Sequence, residues 1–600
     1  MLTVDGERPF LGVERSVLGQ FWRERLDQRG RNTALAIAQS GAMPELVARV
    51  LAGRGVGAEE AAAFLAPAIR DLMPDPSRLT DMDRAAARIA AAIARGERVA
   101  IFGDYDVDGA ASGALLARFL RHHGLEPEIY IPDRIFEGYG PSPEAIAELA
   151  GRGARLIVTV DCGATSFEAL EHAAGLGVDV VVLDHHQMDE AGPPAVALVN
   201  PNRHDDLSRL GHLCAAGVTF MALVATVREL RRTGRYGTVP PPDLLRWLDL
   251  VALATICDVV PLKGLNRAFV VRGLAAMHTR DNAGLAALAR VARLDGPVRP
   301  YHLGFLLGPR INAGGRIGDA GLGARLLSTE DPAEAAAIAE RLEELNRQRQ
   351  AQESAMLAEA VAEAEAEIGG GAGPAVLVVA SERWHPGIVG IIASRLKDRY
   401  RRPAVAVAFD RLGRGTGSGR SLAGVDLGAA VRRALAEGLI VKGGGHAMAA
   451  GITVERARLA ELRGFLEERL GAAVAAAREV NVLKLDGALT ARSATLDLHD
   501  LVEKAGPYGP GHALPIFAFP AHAVRGPRLV GHDHVSLTLR SGDGASLRAV
   551  AFRAADTPLG RLLLEAPPSL HVAGTIAADW WQGSRRLQLR VLDAARPGYV

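Results

Sequence analysis

Four short segments carry the residue types of metal-assisted hydrolysis: GDYDVDG (103–109), VTVDCG (158–163), VVLDHH (181–186) and ATICDVV (254–260). Asp104, Asp106 and Asp108 recur at spacing two, so an extended segment would aim all three carboxylates to one side. Three like charges so placed repel, and cations are what neutralise them. Asp161, His185 and Asp258 are candidates to converge on the same point. Carboxylates joined by one or two imidazoles suit a pair of Mn²⁺ or Mg²⁺ ions. Such a pair, about 3.5–4 Å apart, is a template for in-line attack on a phosphorus ester. Taken singly, each segment has a plainer explanation. DxDxDG resembles the opening of a calcium loop, but it lacks the glutamate that an EF-hand needs at its twelfth position. Asp-Cys-Gly after a strand is an ordinary turn, and a DHH triplet alone can be a surface turn. Their order along one sheet edge is what points to a site. The pair His122–His123, by contrast, ends a helix, where cations are favoured, and reads as structural.

The elements that must position these residues follow from the apolar pattern. VAIFG, EIYIP, LIVTV, DVVVL and VALVNP read as strands, separated by amphipathic stretches such as ASGALLARFLRHHG, PEAIAELAGRG and FEALEHAAGLG. Unbroken Val/Ile/Leu runs between helices predict an α/β domain with a parallel sheet buried on both faces. The first three motifs then fall at carboxyl ends of strands, the edge where open α/β sheets bind ligands. Residues 333–367 predict one long helix, started by Pro332 and broken by GGGAGP. At about 35 residues it would span roughly 50 Å and connect domains. A second α/β region follows, with AVLVVA and AVAVAF as strands, a Gly-rich stretch and a closing helix near 455–475. From about 480 the pattern changes to hairpins, VSLTLRSGDGASLRAVAF and TIAADWWQGSRRLQLRVLDA, which predict a small β-barrel. The expected layout is an N-terminal extension (1–48), a catalytic domain (49–332), a connecting helix (333–368), a second α/β domain (369–479) and the barrel (480–600).

Composition sets the outer bounds. The 600 residues carry 69 Lys+Arg against 69 Asp+Glu, a net charge of zero, which by itself argues against a phosphate-binding surface. The zero is a sum of unlike parts. Residues 101–200 hold 5 basic and 16 acidic side chains, whereas 201–300 hold 14 and 8, 401–450 hold 8 and 3, and 501–600 hold 11 and 7. An acidic, cation-requiring centre among basic segments is compatible with a nucleic-acid partner. No run of about 18 apolar residues free of charges occurs, so no membrane span is expected. MLTVDGERPF lacks the basic and apolar regions of a secretory signal. Three cysteines, Cys162, Cys214 and Cys257, make no disulfide framework, and a reducing cytoplasm is the expected location. Cys162 and Cys257 read as packing residues.

Basic groups for a phosphate must come from outside the acidic block. Arg134, in IPDRIFEGYG, lies just past a strand end. Arg310, Asn312 and Arg316 lie in GPRINAGGRI, which reads as a Gly-rich segment poor in helix. GTGSGRS (415–421) and KGGGHAMAAG (442–451) read as glycine-rich loops able to turn several N–H groups toward one phosphate. In the barrel, Phe517, Phe519, Trp580 and Trp581 are candidates for base stacking, with Arg585, Arg586 and Arg590 for phosphates. Alternate aromatics on short strands are more often core, and of adjacent Trp580 and Trp581 one should face in and one out.

The four acidic motifs, in this order, resemble those of the DHH phosphoesterase family. IPDRIFEGYG, GPRINAGGRI, RWHPGIVGIIASRL (383–396) and GGGHAMAAG (443–451) are similar to segments of that family's bacterial single-strand-specific exonucleases. The likeness runs from about residue 70 to 600. It implies that Asp106, Asp108, Asp161, His185 and Asp258 hold the metals. Many relatives carry a histidine where this chain has Phe102, and Asp104 is the expected substitute. It further implies that His186 contacts the scissile phosphate and that Asp184 orients the neighbouring imidazole. Arg420, Ser421, Gly444, Gly445 and His446 match the family's DHH-associated domain, which grips the substrate, and Trp384 to Gly387 would line its cleft. The barrel would be an oligonucleotide-binding one. The implied activity is a two-metal 5′→3′ exonuclease releasing 5′-mononucleotides from single-stranded DNA in recombination and repair. The implied partners are a single-strand binding protein and a RecQ-type helicase. Two alternatives stand beside it. A family phosphoesterase acting on short oligonucleotides or cyclic dinucleotides would usually lack residues 480–600, and a non-catalytic DNA-binding scaffold would usually have lost metal acids.

Overall fold

The computed structural model describes residues 8–41, 43–133, 136–479, 481–581 and 584–598. It divides into two compact units: one holds 73–260 and 268–480, the other 1–72, 261–267 and 481–600.

The larger unit is built on a five-stranded sheet, β1 (Val99–Gly103), β2 (Glu128–Tyr130), β3 (Leu156–Val160), β4 (Asp179–Leu183) and β5 (Ala197–Val199). The strands are all parallel, in the order β2-β1-β3-β4-β5. Every residue of β1 and β3 is buried, as unbroken apolar runs require of a sheet covered on both faces. The chain leaves β1 toward β2 on one side, and β3 lies on the other, so a crevice opens between the carboxyl ends of β1 and β3. Four helices frame that edge or lead from it: α1 (Val107–His122), α2 (Ala215–Arg232), α3 (Leu248–Cys257) and α4 (Gly308–Ile317). The segment GPRINAGGRI is therefore helical, contrary to its glycine content. It continues a helix begun at Pro300, whose Leu303–Leu307 stretch is π-helical.

The long helix α5 (Pro332–Ile368) has Asp331 as its N-cap, accepting from Ala333 N at 2.9 Å, and Gly369 beyond its end. It leads to a second sheet of β6 (Leu377–Ser381), β7 (Ala404–Phe409), β8 (Arg414–Arg420), β9 (Lys442–His446) and β10 (Ala449–Glu455). Their order is β9-β10-β8-β7-β6, with only β6 and β7 parallel. The two glycine-rich segments expected as loops are strands β8 and β9. Their glycines make room: a Cβ at Gly415 would stand 2.6 Å from Val407 and Phe409. Trp384, expected to line a cleft, is instead buried against α5, where its indole N–H donates to Glu359 at 3.1 Å.

In the smaller unit β11 (Phe517–Val530), β12 (His534–Arg540), β13 (Ser546–Ala551), β14 (Leu570–Trp581) and β15 (Ser584–Ala595) run in the order β11-β12-β13-β15-β14, and β14 pairs back to β11. With β13–β15 parallel and the rest antiparallel, this is a closed five-stranded barrel of the oligonucleotide-binding type. Phe517 and Phe519 are fully buried in its core and offer no face to a base. The N-terminal segment belongs to this unit. Phe21–Glu24 pairs in parallel with Val482–Leu485, and buried Trp22 donates to Asp593 at 2.8 Å. Ile37, Val47 and Leu51 share the core of Phe517 and Phe519. Residues 49–72, expected in the catalytic domain, thus group with the barrel unit.

Candidate metal centre

Strand ends and helix ends deliver the acids to one place. Asp104 follows β1, Asp161 follows β3, and Asp184, His185 and His186 follow β4, all at the same sheet edge. The first motif is not extended. Asp106 is the N-cap of α1, its Oδ1 accepting from Asp108 N at 2.8 Å and Gly109 N at 3.1 Å, and Asp108 lies in the first turn. The two acids therefore reach the centre from a helix start, not from one face of a strand. Asp258 arrives from the opposite direction as the C-cap of α3.

His185 is the hub. Its Nε2 lies 3.3 Å from Asp161 Oδ1 and 3.7 Å from both Asp108 Oδ2 and Asp258 Oδ2. Three overlapping groups bring donor atoms within 4.8 Å of one another: Asp161 with His185 and His186, Asp108 with His185 and Asp258, and Asp104 with Asp106 and Asp161. Asp161 belongs to two of them. Asp161 Oδ1 and Asp258 Oδ2 are buried and accept no hydrogen bond from the described residues. A buried carboxylate oxygen without a donor is costly unless a cation faces it. The oxygen-rich set with imidazole suits Mn²⁺ or Mg²⁺, so the residues present fit such ions. Phe102 lies outside this set: it is fully buried and stacks on Tyr130.

The electrostatics agree. Burial, followed by repulsion from Asp108, Asp106, Asp104 and Asp258, pushes the Asp161 carboxyl far above the ordinary range. Burial and neighbouring carboxylates likewise raise Asp258. Burial raises Asp108 too, although His185 and two backbone donors oppose it. Those donors are Ala215 N (2.6 Å) and Ala216 N (2.8 Å), the first amides of α2, so one helix start supplies Asp108 and another fixes it. Asp184 stands apart: burial would raise it, but His186, Ala164 N and His185 outweigh burial and hold it below the usual value. Its Oδ1 accepts from His186 Nδ1 at 2.8 Å. Burial pulls the His186 imidazolium down, yet Asp184, Asp104 and Asp258 lift its pKa to about 9.

Three further residues enter this centre, Tyr139 from within IPDRIFEGYG and two asparagines past β5. The Tyr139 hydroxyl donates to Asp161 O at 3.1 Å and lies 3.1 Å from His186 Nδ1. Asn200 and Asn202, past the end of β5, donate to the carbonyls of His186 and His185. Their signal was positional, since VNPN closes the last parallel strand at the same edge. Asp161 has φ +61°, and Val259, directly after Asp258, has φ +62°. The left-handed region is unusual for a β-branched residue such as Val259 and marks a constrained site.

The expected phosphate ligands separate. Arg316, Arg420 and Arg395, with Gly390, Ile391 and Ser394, line a cavity of about 290 Å³. Arg316 also donates to Gly387 O (3.0 Å), and Arg420 donates to Ser418 Oγ (2.8 Å). Arg310 is tied to Glu343 and Leu306 O, and Asn312 is half-buried on α4 beside it. Ser421 is fully buried, its hydroxyl donating to Val425 O at 2.7 Å, which makes it part of a turn. Gly444, Gly445 and His446 lie on edge strand β9. Arg134 lies outside the described residues, as do the side chains of Trp580 and Trp581 on β14. Arg585 pairs with Asp500, while Arg586 and Arg590 are exposed on β15. Cys162 is buried in the apolar core beside the sheet, and Cys257 packs at the end of α3.

Known proteins share this arrangement. Residues 98–255 match the DHH family, N-terminal domain, residues 373–481 the DHHA1 domain and residues 485–593 the RecJ OB domain. The single-stranded-DNA-specific exonuclease RecJ of Dickeya dadantii (strain 3937) is 37% identical over 519 residues, 85% of this chain and 89% of that protein. The protein of the same name from Escherichia coli (strain K12) is 35% identical over 530 residues, 86% of this chain and 90% of that one. The crystal structure of RecJ in complex with Mn²⁺ from Thermus thermophilus matches with a TM-score of 0.77 at 30% identity. It covers 95% of this chain and 78% of that one. The Mg²⁺ complex from the same organism matches with a TM-score of 0.72 at 29% identity, over 95% and 77%.

Proposed function

The chain belongs to the RecJ family of single-stranded-DNA-specific exonucleases, and we propose that it degrades single-stranded DNA from the 5′ end to 5′-mononucleotides. The observation that carries this reading is the convergence of five acids and His185 from three strand ends, a helix start and a helix end. Asp104, Asp106, Asp108, Asp161, His185 and Asp258 would hold two divalent ions, Mn²⁺ or Mg²⁺. Bound there, the ions supply Lewis-acid polarisation of the scissile phosphate and activation of the attacking water.

The chain's own residues do the rest. Asp184 keeps His186 charged and aimed, so its ring can donate to a non-bridging phosphate oxygen as charge develops. Tyr139 lies beside the same His186 Nδ1 that Asp184 engages and fixes the Asp161 backbone. Arg316, Arg395 and Arg420 form a cationic pocket suited to a terminal phosphate, which favours attack near a strand end. Arg310, Asn312, Gly444, Gly445 and His446 would line the path of the strand, and Arg586 and Arg590 would offer the barrel's own contacts to phosphates. The roles follow a division into a DHH catalytic domain, its connecting helix, a DHH-associated domain and the barrel. A cytoplasmic role in recombination and repair, beside a single-strand binding protein and a RecQ-type helicase, completes the reading. None of the helices among the described residues is long and apolar enough to cross a membrane.

The test is a nuclease assay of Asp106→Ala beside the parent, with Mn²⁺ and with excess chelator. The reading expects mononucleotide release by the parent in Mn²⁺ alone, and none by the folded variant. Equal activity in the variant, or activity in chelator, overturns it.

A further inference from the structure

The strand Phe21–Glu24, in the segment without a sequence motif, pairs in parallel with Val482–Leu485, and the register sets Arg23 opposite Lys484. Side chains paired across neighbouring strands project to the same face, so these two cations stand side by side and repel. Lys484 is exposed and Arg23 half-buried. Together with Arg8, Arg25 and Arg31 they line a groove of about 730 Å³ within the smaller unit. Two carboxylates, Glu24 and Asp27, share the lining, and five cations against two acids leave the groove a net charge of +3.

The acids are already engaged. Glu24 is held by Arg31 at 2.8 Å and by Arg49, and Asp27 Oδ1 accepts from Gly30 N at 2.7 Å at the start of the helix Gln28–Gly41. Arg25 is anchored from behind, its Nε donating at 3.0 Å to the fully buried Asp486. Anchored guanidinium groups lose little freedom when an anion arrives. The groove is also built into the frame of the barrel. Val482–Leu485 leads into Gly487–Ala488, which pairs with β11 at Phe517–Ala518, and Trp22, beside Arg23, donates to Asp593 on β15.

We propose that this groove is a second grip on single-stranded DNA, which holds the phosphodiester backbone by charge and reads no base. The proposal rests on the exonuclease reading above. The lining selects the occupant. Among the described residues that form it none is aromatic, and its apolar side chains are only Leu26 and Ala52. It therefore offers neither a stacking face for a base nor the apolar pockets in which protein partners anchor their large side chains. Arginines and a lysine without such pockets match a regular polyanion, whose phosphates position a strand irrespective of its sequence. The grip adds affinity only for strands longer than the few nucleotides that the chemistry requires.

The experiment uses the full chain and the variant Arg23→Gln/Lys484→Gln, which removes both charges at similar side-chain length. Binding is read by fluorescence anisotropy in excess chelator on labelled single strands of about 40 nucleotides, well beyond the site size of one barrel. The variant's plot of log Kd against log salt should be shallower by about 1.4, from two phosphate contacts at about 0.7 each. At about 0.1 M salt its Kd should rise roughly tenfold. In Mn²⁺ its KM should rise on the long strand alone, with parental kcat and KM on strands of about 6 nucleotides, which fit within one barrel's site size. Arg23→Lys, which keeps the charge, should bind as the parent does. An unchanged salt slope, an equal KM rise at both lengths, or an Arg23→Lys variant as weak as the double variant overturns the grip. A glutamate-rich peptide that binds the parent but not the variant, with the DNA slope unchanged, also overturns it and assigns the groove to a protein partner. A parent that binds long strands with the expected slope but releases no nucleotide in Mn²⁺ overturns the exonuclease reading instead, so the two failures are distinguishable.

Discussion

Asp184→Asn isolates the part of the centre that orients the imidazoles without replacing an expected metal ligand. Asp184 is 1% exposed and accepts four hydrogen bonds. Oδ1 takes His185 N (2.7 Å), His186 N (3.2 Å) and His186 Nδ1 (2.8 Å), and Oδ2 takes Ala164 N (3.0 Å). Asparagine can keep only one oxygen. With its carbonyl on the three-donor side, its NH₂ faces the Ala164 N–H, leaving a buried donor unpaired at a cost of about 1–3 kcal/mol. The three remaining bonds lose their charge assistance, roughly half their strength. The opposite rotamer orphans three donors and is worse. His186 also loses the partner that most raises its pKa. Groups that orient ligands and catalytic imidazoles are typically worth about 10–100-fold in activity or metal affinity, and a loss in that range is expected. The assay is mononucleotide release from a labelled single strand at saturating Mn²⁺, with a parallel Mn²⁺ titration and thermal melt. Lower thermal stability with a full rate and an unchanged pH profile would refute the orienting role, leaving Asp184 as a packing acceptor only.

Further expectations follow from the acids and from the N-terminal segment. Asp258 is raised from 3.8 to about 9 by burial and by Asp108 and Asp106, so the metal-free protein holds a proton there. Its stabilising contribution is full below about pH 4 and is lost as pH rises toward 9. Divalent ions must displace that proton, so Mn²⁺ affinity should climb between about pH 6 and 9. Calorimetric titration at several pH values checks it, and a pH-independent Kd would contradict it. Trp22→Ala should destabilise the barrel unit by about 3–5 kcal/mol although residue 22 is remote in sequence from the barrel. Hydrogen exchange in β14 and β15 reads the effect, and unchanged protection there would contradict the packing of Trp22 on Asp593.

Much of the larger unit was legible because its strands are unbroken apolar runs, and the period and length of such runs leave few alternatives. The acids at their carboxyl ends were legible for the same reason. What failed did so for identifiable causes. Asp106 and Asp108 at spacing two suggested a strand, yet an aspartate is also a favoured helix N-cap, and Asp106 caps the helix whose first turn holds Asp108. Glycine's low helix propensity argued against GPRINAGGRI being helical, but Gly308 and Gly315 are where that helix touches Cys257 and Tyr105, so tertiary contact overrode propensity. The glycines of β8 read as a loop because their role is to leave room under Val407 and Phe409. The partner of Phe21–Glu24 is Val482–Leu485, and no local pattern encodes a pairing across that distance. Asn200 and Asn202 act through hydrogen bonds to backbone carbonyls, which leave no motif of their own, and Tyr139 lies in IPDRIFEGYG, where the charged Arg134 drew the attention.

Asp161, which belongs to two of the three donor groups, would be shared by two divalent ions. Anomalous diffraction at the manganese edge, from crystals of the full chain grown with Mn²⁺, tests it most directly. Two peaks are expected within carboxylate reach of Asp161, one also touching Asp104 and Asp106, the other Asp108, His185 and Asp258. A single peak, or none among these side chains at millimolar Mn²⁺, would contradict it.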